Sequence, residues 1–151
     1  MKKLIISVLI SLGVGGLSAI ITSGSMDIYK TLVKPSLAPP SILFPIVWTI
    51  LYILMGISAY LIYNSNNLES DDALKIYGLQ LLVNFVWPIL FFVLKLRLLS
   101  FVWIVLLLIL VIVMILKFYK INKTAAYLQI PYFIWVLFAS YLNLGFYLLN
   151  K

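Results

Sequence analysis

The sequence predicts an all-α membrane protein, a single domain over residues 1–151 built as a bundle of five transmembrane helices. Of the 151 residues, 65% are hydrophobic and only 10% are charged, which leaves too little polar surface for a chain dispersed in water. A helix needs roughly 20 apolar residues to cross a hydrocarbon core. Five runs meet this requirement without a charged residue in their interior: Leu4–Thr22, Ile42–Tyr63, Ile76–Leu94, Leu98–Phe118 and Ala126–Leu149.

The first run has two interpretations. Two lysines before an apolar stretch are typical of a cleaved signal peptide. However, the run also carries small residues at every fourth position, on one helix face, where they let another helix approach closely. These residues are Ser7, Ser11, Gly15, Ala19 and Ser23. Because a cleaved peptide has no need of such a ridge, we expect a retained helix that packs through this face.

The connections between the runs are short, so we expect neighbouring helices to be antiparallel. The longest connection, residues 23–41, is stiffened by three prolines and is unusually apolar. The formal net charge of +7 comes from lysines and an arginine at the ends of the runs, where they meet lipid headgroups. We therefore expect no nucleic-acid partner. The basic residues divide almost equally between the two sides, and they do not decide the orientation.

Several kinds of chemistry are excluded by composition. The chain has no Cys and no His, which removes disulfides, thiolate nucleophiles, zinc sites and haem ligation by histidine. The acidic residues all lie in predicted loops, whereas proton-coupled transporters carry ionisable groups at membrane depth. We therefore expect no metal site, no resident cofactor and no firmly assignable catalytic residue.

Amide and indole groups remain at membrane depth. Gln80, Asn84 and Trp87 lie near one face of the third helix, and that face should point inward because an unpaired amide in lipid is costly. The spacing favours contacts between helices over the wall of a ligand pocket. On the fifth run, Pro131 is predicted to kink the helix, as is Pro88 on the third.

The kinks suggest a cavity between the third and fifth helices, with the long first loop as its lid. Ser41 is then predicted to cap the second helix. The simpler interpretation of Trp48 and Tyr52, just below the loop, is anchoring at the membrane interface. Trp103 has no polar neighbour at helical spacing, and we interpret it as an interfacial or lipid-facing residue.

Three blocks of residues occur in a distinctive order and spacing. The first is Lys34-Pro35-Ser36-Leu37-Ala38-Pro39-Pro40, followed by Phe44-Pro45-Ile46-Val47-Trp48-Thr49-Ile50-Leu51-Tyr52. The second contains Gln80-Leu81, Asn84, Trp87-Pro88 and Phe91-Phe92. The third contains Pro131-Tyr132, Trp135-Val136, Phe138-Ala139 and Leu142-Asn143. Together they resemble the translocator protein family, also called tryptophan-rich sensory proteins or peripheral-type benzodiazepine receptors, from Tyr29 to Asn150.

The resemblance implies a five-helix bundle, often a homodimer, in a bacterial cell membrane. It implies a pocket beneath the first loop that binds porphyrins or similar flat, amphipathic molecules, as a sensor or translocator. The residues that we expect to contact ligand are Tyr29, Pro35, Trp48, Asn84, Trp87, Trp135, Ala139 and Leu142.

The family assigns different roles to these residues. Trp48 and Asn84 correspond to polar contacts with the ligand, whereas Trp87, Ala139 and Leu142 correspond to the pocket wall. Metal-free porphyrin is the expected ligand because no side chain can supply an axial imidazole or thiolate.

Two departures from the family pattern bear on activity. Some bacterial members degrade porphyrins in light, and Trp135 corresponds to a tryptophan implicated in that chemistry. However, the usual loop pair Trp-Tyr reads Ile28-Tyr29 here, and Leu37 stands where the family usually has tryptophan. These losses weaken the expectation of a porphyrin-degrading enzyme more than that of a binding protein. A porphyrin or sterol transporter is the remaining alternative.

Overall fold

The computed structural model describes residues 1–25 and 27–151, with the side chain of Ile28 left out. The described chain is helical and contains no strand: α1 (Lys2–Thr22), α2 (Ile28–Thr31), α3 (Leu43–Tyr63), α4 (Ser70–Pro88), α5 (Arg97–Ile121), α6 (Lys123–Leu128) and α7 (Ile130–Asn150). A 3-10 turn, Ser23–Ser25, extends α1, and a π-helical turn, Ile89–Val93, extends α4.

Five of the resulting segments are long and apolar enough to cross a membrane, as predicted: Lys2–Ser25, Leu43–Tyr63, Ser70–Val93, Arg97–Ile121 and Lys123–Asn150. The third segment begins earlier than the predicted Ile76. Asp71 and Asp72 lie in the first turn of α4, where negative charge is favourable beside the positive end of the helix dipole. Polar residues that suggested a loop therefore start a helix.

α5 packs against α4, α6 and α7, whereas α3 packs against α1, α4 and α6. Large apolar side chains fill the centre of this arrangement and are almost completely buried, including Met55, Ile62, Met114, Phe118 and Val136. Because each of the five spans also presents exposed leucine or isoleucine side chains, the outer surface suits contact with lipid rather than water.

The small-residue face of α1 packs against α3 over its first half, as expected. The Ser7 and Ser11 hydroxyls donate hydrogen bonds to the carbonyls of Gly56 (2.7 Å) and Tyr52 (2.6 Å), and a Cβ on Gly15 would overlap the Tyr52 ring.

In the second half of α1 the buried residues are Ser18 and Thr22, whereas Ala19 and Ser23 are exposed. The prediction of close packing was wrong there because Ala19 and Ser23 line an open space between the helices. Ser18 also donates a hydrogen bond to the Phe85 carbonyl of α4 (3.3 Å), so the end of α1 contacts a different neighbour.

Pro131 does not kink a continuous helix, contrary to the prediction. The fifth span consists of α6 and α7 with Gln129 between them, and Pro131 lies in the first turn of α7, where its missing N–H removes no hydrogen bond within that helix. On the other side of this junction, the Ser58 hydroxyl donates to the Ala125 carbonyl (2.7 Å) and joins α3 to α6.

Pro88 does interrupt its helix, because α4 ends there and the chain continues as the π-helical turn. In that turn the Leu94 N–H donates to the Ile89 carbonyl at 2.9 Å. The turn buries three consecutive side chains, Leu90, Phe91 and Phe92.

Two other local predictions were wrong. Ser41 does not cap α3 with its side chain, since Ile42 precedes the helix without any side-chain cap. Trp103 does not face lipid alone: it is half-buried, and its indole N–H donates to the Val83 carbonyl (2.8 Å). That partner lies on α4, so spacing within α5 could not reveal it.

Candidate functional site

A cavity of about 330 Å³ lies between α1, α3, α4 and α7. The end of α1 contributes small residues, including Gly15 and Ala19, while the other helices contribute mainly aromatic side chains. None of the described lining residues is charged. The cavity therefore offers an apolar, aromatic environment between membrane-spanning helices.

The structure brings together seven of the eight residues expected to contact ligand. The lining includes Tyr29, Trp48, Asn84, Trp87, Trp135, Ala139 and Leu142. The eighth, Pro35, is not among the lining residues and instead packs against α7, where a Cβ on Gly145 would meet its ring. Whether the seven contact a ligand stays a prediction, but their convergence in one cavity is a property of the fold.

Aromatic pairs form the walls of the cavity. Trp48 stacks on Tyr52 with ring centroids 5.6 Å apart, and Trp87 stacks on Phe91 at 5.5 Å. Trp135 meets Trp48 edge-on at 6.4 Å, with an interplanar angle of 89°. Trp48, for which anchoring at the membrane interface was the simpler interpretation, thus belongs to the same aromatic enclosure as Trp87 and Trp135.

Sequence spacing alone missed the contribution of the π-helical turn. Phe91 and Phe92 both line the cavity, and Phe146 of α7 packs against Phe91 with ring centroids 5.7 Å apart. The available signal was Pro88, whose missing donor favours a local change of helix type. Spacing could not predict that this change would be a π-helical turn.

Asn84 connects three helices through its side-chain amide. Its oxygen accepts from the Tyr52 hydroxyl (2.5 Å) on α3, and its nitrogen donates to the Tyr132 hydroxyl (2.7 Å) on α7. Tyr132 in turn donates to the Gln80 side-chain oxygen (2.7 Å). Gln80 and Asn84 are both buried, which confirms that this face of α4 points inward and supports their interpretation as contacts between helices.

The indoles that line the cavity differ in how they are held. The Trp87 indole N–H donates to the Asn143 side-chain oxygen (2.9 Å), and the Asn143 nitrogen donates to the Arg97 carbonyl (2.9 Å). In contrast, the buried indole nitrogen of Trp135 has no hydrogen-bond partner in the described chain. Trp87 is therefore fixed by a directional bond, whereas packing contacts hold Trp135.

The first loop is attached to α7 at several points. Asn150 bonds to both backbone groups of Val33, accepting from its N–H (2.9 Å) and donating to its carbonyl (2.8 Å). The Tyr141 hydroxyl donates to the Ser36 carbonyl (2.6 Å). These bonds hold the loop against the helix that carries Trp135 and Ala139.

Tyr29 lines the cavity from the first loop. Its hydroxyl donates to the Pro39 carbonyl, and burial raises the pKa of the Tyr29 phenol, so it stays neutral. The Lys34 ammonium lies 5.1 Å from the centroid of the Tyr29 ring. Leu37 is exposed and has a positive φ of 70°, whereas the side chain of Ile28 lies outside the described residues.

The lining can stack against a flat molecule and exclude water, but it offers little for acid–base or metal chemistry. The described residues include no group of three or more His, Cys, Asp or Glu side chains that could hold a metal ion. The arrangement suits reversible binding of an aromatic ligand.

Together, the five spans and the aromatic cavity define a class of protein: an α-helical integral membrane protein with an internal site between its helices. Comparison with known proteins identifies the family. The model of the TspO/MBR family matches residues 6–148, and the chain belongs to this family, whose members are membrane proteins of the sensor or translocator type. The resemblance inferred from the three sequence blocks is thereby confirmed.

Named relatives come from several kinds of organism. The tryptophan-rich protein TspO of Archaeoglobus fulgidus is 41% identical over 150 residues, which is 98% of this chain and 97% of the relative. The protein of the same name from Chlorobaculum tepidum is 40% identical, covering 81% of this chain and 78% of the relative. The translocator protein of Sus scrofa is 34% identical, covering 76% and 70%. The bacterial relatives agree with the predicted location in a bacterial membrane.

Proposed function

We propose that this protein is a membrane receptor, of the sensor or translocator type, for porphyrins or similarly flat, amphipathic molecules. The observation that carries the proposal is the uncharged cavity walled by Trp48, Trp87 and Trp135. Aromatic pairs contribute about 0.5–1.5 kcal/mol each beyond the burial of apolar area, so several rings around one flat ligand give substantial affinity.

The size of the cavity constrains the way in which a porphyrin binds. Ligand pockets typically measure about 300–1,000 Å³, and this one is near the lower limit at about 330 Å³. A porphyrin is too large to be enclosed completely, so part of its ring extends past Tyr29. Its acidic side chains then approach Lys34, which already lies beside Tyr29, or the exposed Lys30.

Binding does not require iron. The chain contains no His and no Cys, so a haem iron gains no imidazole or thiolate ligand. Absorbance titrations of the purified protein with metal-free protoporphyrin and with haem test both points. We expect saturable binding of each, with dissociation constants within about tenfold of one another, a difference worth about 1.4 kcal/mol. Absence of saturation would reject the proposal, and haem binding a hundredfold tighter would contradict the account of the site.

A second candidate, light- and oxygen-dependent breakdown of porphyrin, is favoured by one observation. The Trp135 indole lines the cavity without a hydrogen bond and in edge contact with Trp48, so it is available as a redox partner for an excited pigment. In this reaction the porphyrin is oxidised and molecular oxygen is the oxidant.

Illumination in air distinguishes this candidate from simple binding. If breakdown occurs, porphyrin absorbance falls slowly in the wild type, and Trp135→Phe stops the loss while binding persists. Ile28→Trp, which restores the family's loop tryptophan, then speeds the loss. If the absorbance of bound porphyrin stays constant in light, breakdown is rejected and only the receptor function remains. Porphyrin flux across reconstituted vesicles separates a translocator from a sensor.

A further inference from the structure

A second concave surface lies outside the bundle, in a groove between α3 and α7. Its volume is about 470 Å³, and apolar side chains line it, among them Val47, Ile50, Ile134 and Phe138. Ile50 and Ile134 are 54% and 59% exposed. Because both residues belong to membrane-spanning helices, the groove opens toward the acyl chains of the bilayer.

Trp135 lines both the groove and the internal cavity. Its ring contacts Phe138 at 5.6 Å, Phe44 at 5.9 Å and Trp48 at 6.4 Å between centroids. The indole therefore forms part of the wall that separates the cavity from the lipid side.

The side chain in this part of the wall has no hydrogen bond within the described residues. The Trp87 and Trp103 indoles each donate a hydrogen bond, whereas the Trp135 nitrogen has no partner in the described residues. Trp135 can consequently turn without breaking a hydrogen bond of its own side chain.

The backbone near Trp135 also permits movement. Gln129 separates α6 from α7, and Pro131, which follows it, lines the groove. Pro131 lacks the N–H that would continue the helical hydrogen bonds across this junction. The first turns of α7, which carry Ile134 and Trp135, can tilt about this point with little loss of hydrogen bonding.

We propose that ligand enters the cavity sideways from the bilayer through this groove, with Trp135 acting as the moving wall. The inference rests on the proposed receptor function and adds the route by which the ligand arrives. A flat, amphipathic molecule concentrates in the membrane, so an entrance on the lipid side meets the ligand where it is most abundant.

Binding rates test the route separately from binding itself. Ile50→Trp and Ile134→Trp each place an indole in the groove, outside the cavity lining. Ile109→Trp on α5, where the isoleucine is 53% exposed, is the matched lipid-facing control. Each variant is reconstituted in phosphatidylcholine vesicles that contain metal-free protoporphyrin, and association and dissociation are followed by the absorbance of the porphyrin.

We expect both groove variants to slow association and dissociation together by about fivefold or more, with the dissociation constant unchanged within about twofold. Such paired changes occur because a blocked route alters the barrier and not the end states. The Ile109 variant should retain wild-type rates, and Trp135→Ala should speed both processes.

Other results would overturn the route. Wild-type rates in both groove variants would show that ligand enters elsewhere, while the receptor function stands. Equal slowing in the Ile109→Trp control would show that the effect is not specific to the groove. If the wild type does not bind protoporphyrin at all, the proposed function fails and the entry route fails with it. Thermal melting of each variant verifies that the fold is retained.

Discussion

At the scale of single residues, the polar side chains inside the membrane serve mainly to join helices. Asn84 uses both ends of its amide to connect Tyr52 with Tyr132, although it also lines the cavity. The family resemblance assigned it a polar contact with ligand, whereas its spacing favoured contacts between helices. With its amide nitrogen and oxygen already engaged, Asn84 supports the fold first and the ligand second.

Asn84→Leu should therefore lower stability before it lowers affinity. The change removes the acceptor of the buried Tyr52 hydroxyl and one of the two hydrogen bonds of the Tyr132 hydroxyl. Interhelical hydrogen bonds in membranes contribute about 0.6–2 kcal/mol. The measurement is unfolding in detergent by thermal or denaturant titration. Gln129→Leu is the control, because Gln129 is completely buried but its side-chain nitrogen and oxygen lack partners in the described chain. Greater destabilisation by Gln129→Leu than by Asn84→Leu would refute this assignment.

The limits of sequence reasoning are clearest for indoles. Trp87 was expected in a pocket wall and lines the cavity, while Trp103 was expected to face lipid and instead donates to a carbonyl on α4. Spacing reports neighbours along one helix, whereas the partner of Trp103 is 20 residues away in the chain. Such contacts depend on how whole helices pack against one another. The spacing of residues within one helix carries no information about that packing.

At the scale of elements, close approach between α1 and α3 depends on glycine. Gly15 faces the Tyr52 ring and Gly56 faces the backbone of Val8, so that a Cβ at either position would overlap its neighbour. The ridge of small residues predicted this contact correctly for the first half of α1. It failed for the second half because Ala19 and Ser23 line the cavity there and do not pack against a neighbouring helix.

Gly15→Leu should destabilise the bundle. The isobutyl group must displace Tyr52 or separate the helices, and overpacking of this kind costs about 1–3 kcal/mol. Gly16→Leu is the matched control on the same helix, since nothing lies within 4 Å of a Cβ at that position. The melting temperature in detergent should fall for Gly15→Leu and stay at the wild-type value for Gly16→Leu. Equal melting of both would show that α1 does not depend on close packing at Gly15.

Helix ends and irregular turns were harder to predict than the spans themselves. Five apolar runs correctly gave five spans, because hydrocarbon thickness sets their length. The start of α4 at Ser70, the break at Gln129 and the π-helical turn after Pro88 depend on local hydrogen bonding. Two of these details affect the site, since the turn places Phe91 and Phe92 in the cavity and the break precedes Trp135.

At the scale of the whole molecule, an odd number of spans places the two ends of the chain on opposite sides of the membrane. The loop at Asn66 lies on the side where α1 begins, whereas Lys151 and the connection at Lys95 lie on the other side. The nearly even distribution of lysine and arginine leaves the absolute orientation undecided. The relative topology is nevertheless fixed by the number of spans.

Cysteine accessibility tests this topology without background, because the native chain contains no cysteine. Asn66→Cys and Lys151→Cys should react with an impermeant thiol reagent from opposite sides of sealed vesicles. Lys95→Cys should react from the same side as Lys151→Cys. Labelling of Asn66→Cys and Lys151→Cys from one side would rule out five spans.

The central claim is that the cavity between α1, α3, α4 and α7 is the ligand site, and filling it is the most direct test. Ala139 is buried and lines the cavity, so Ala139→Leu places an isopropyl group in space that the ligand would occupy. Gly16→Leu adds a similar group outside the cavity and serves as the control.

The measurement is the dissociation constant for metal-free protoporphyrin, taken with the melting temperature of each variant. We predict at least a tenfold loss of affinity for Ala139→Leu with the fold retained, and wild-type affinity for Gly16→Leu. Wild-type affinity in a well-folded Ala139→Leu variant would contradict the assignment of this cavity as the ligand site.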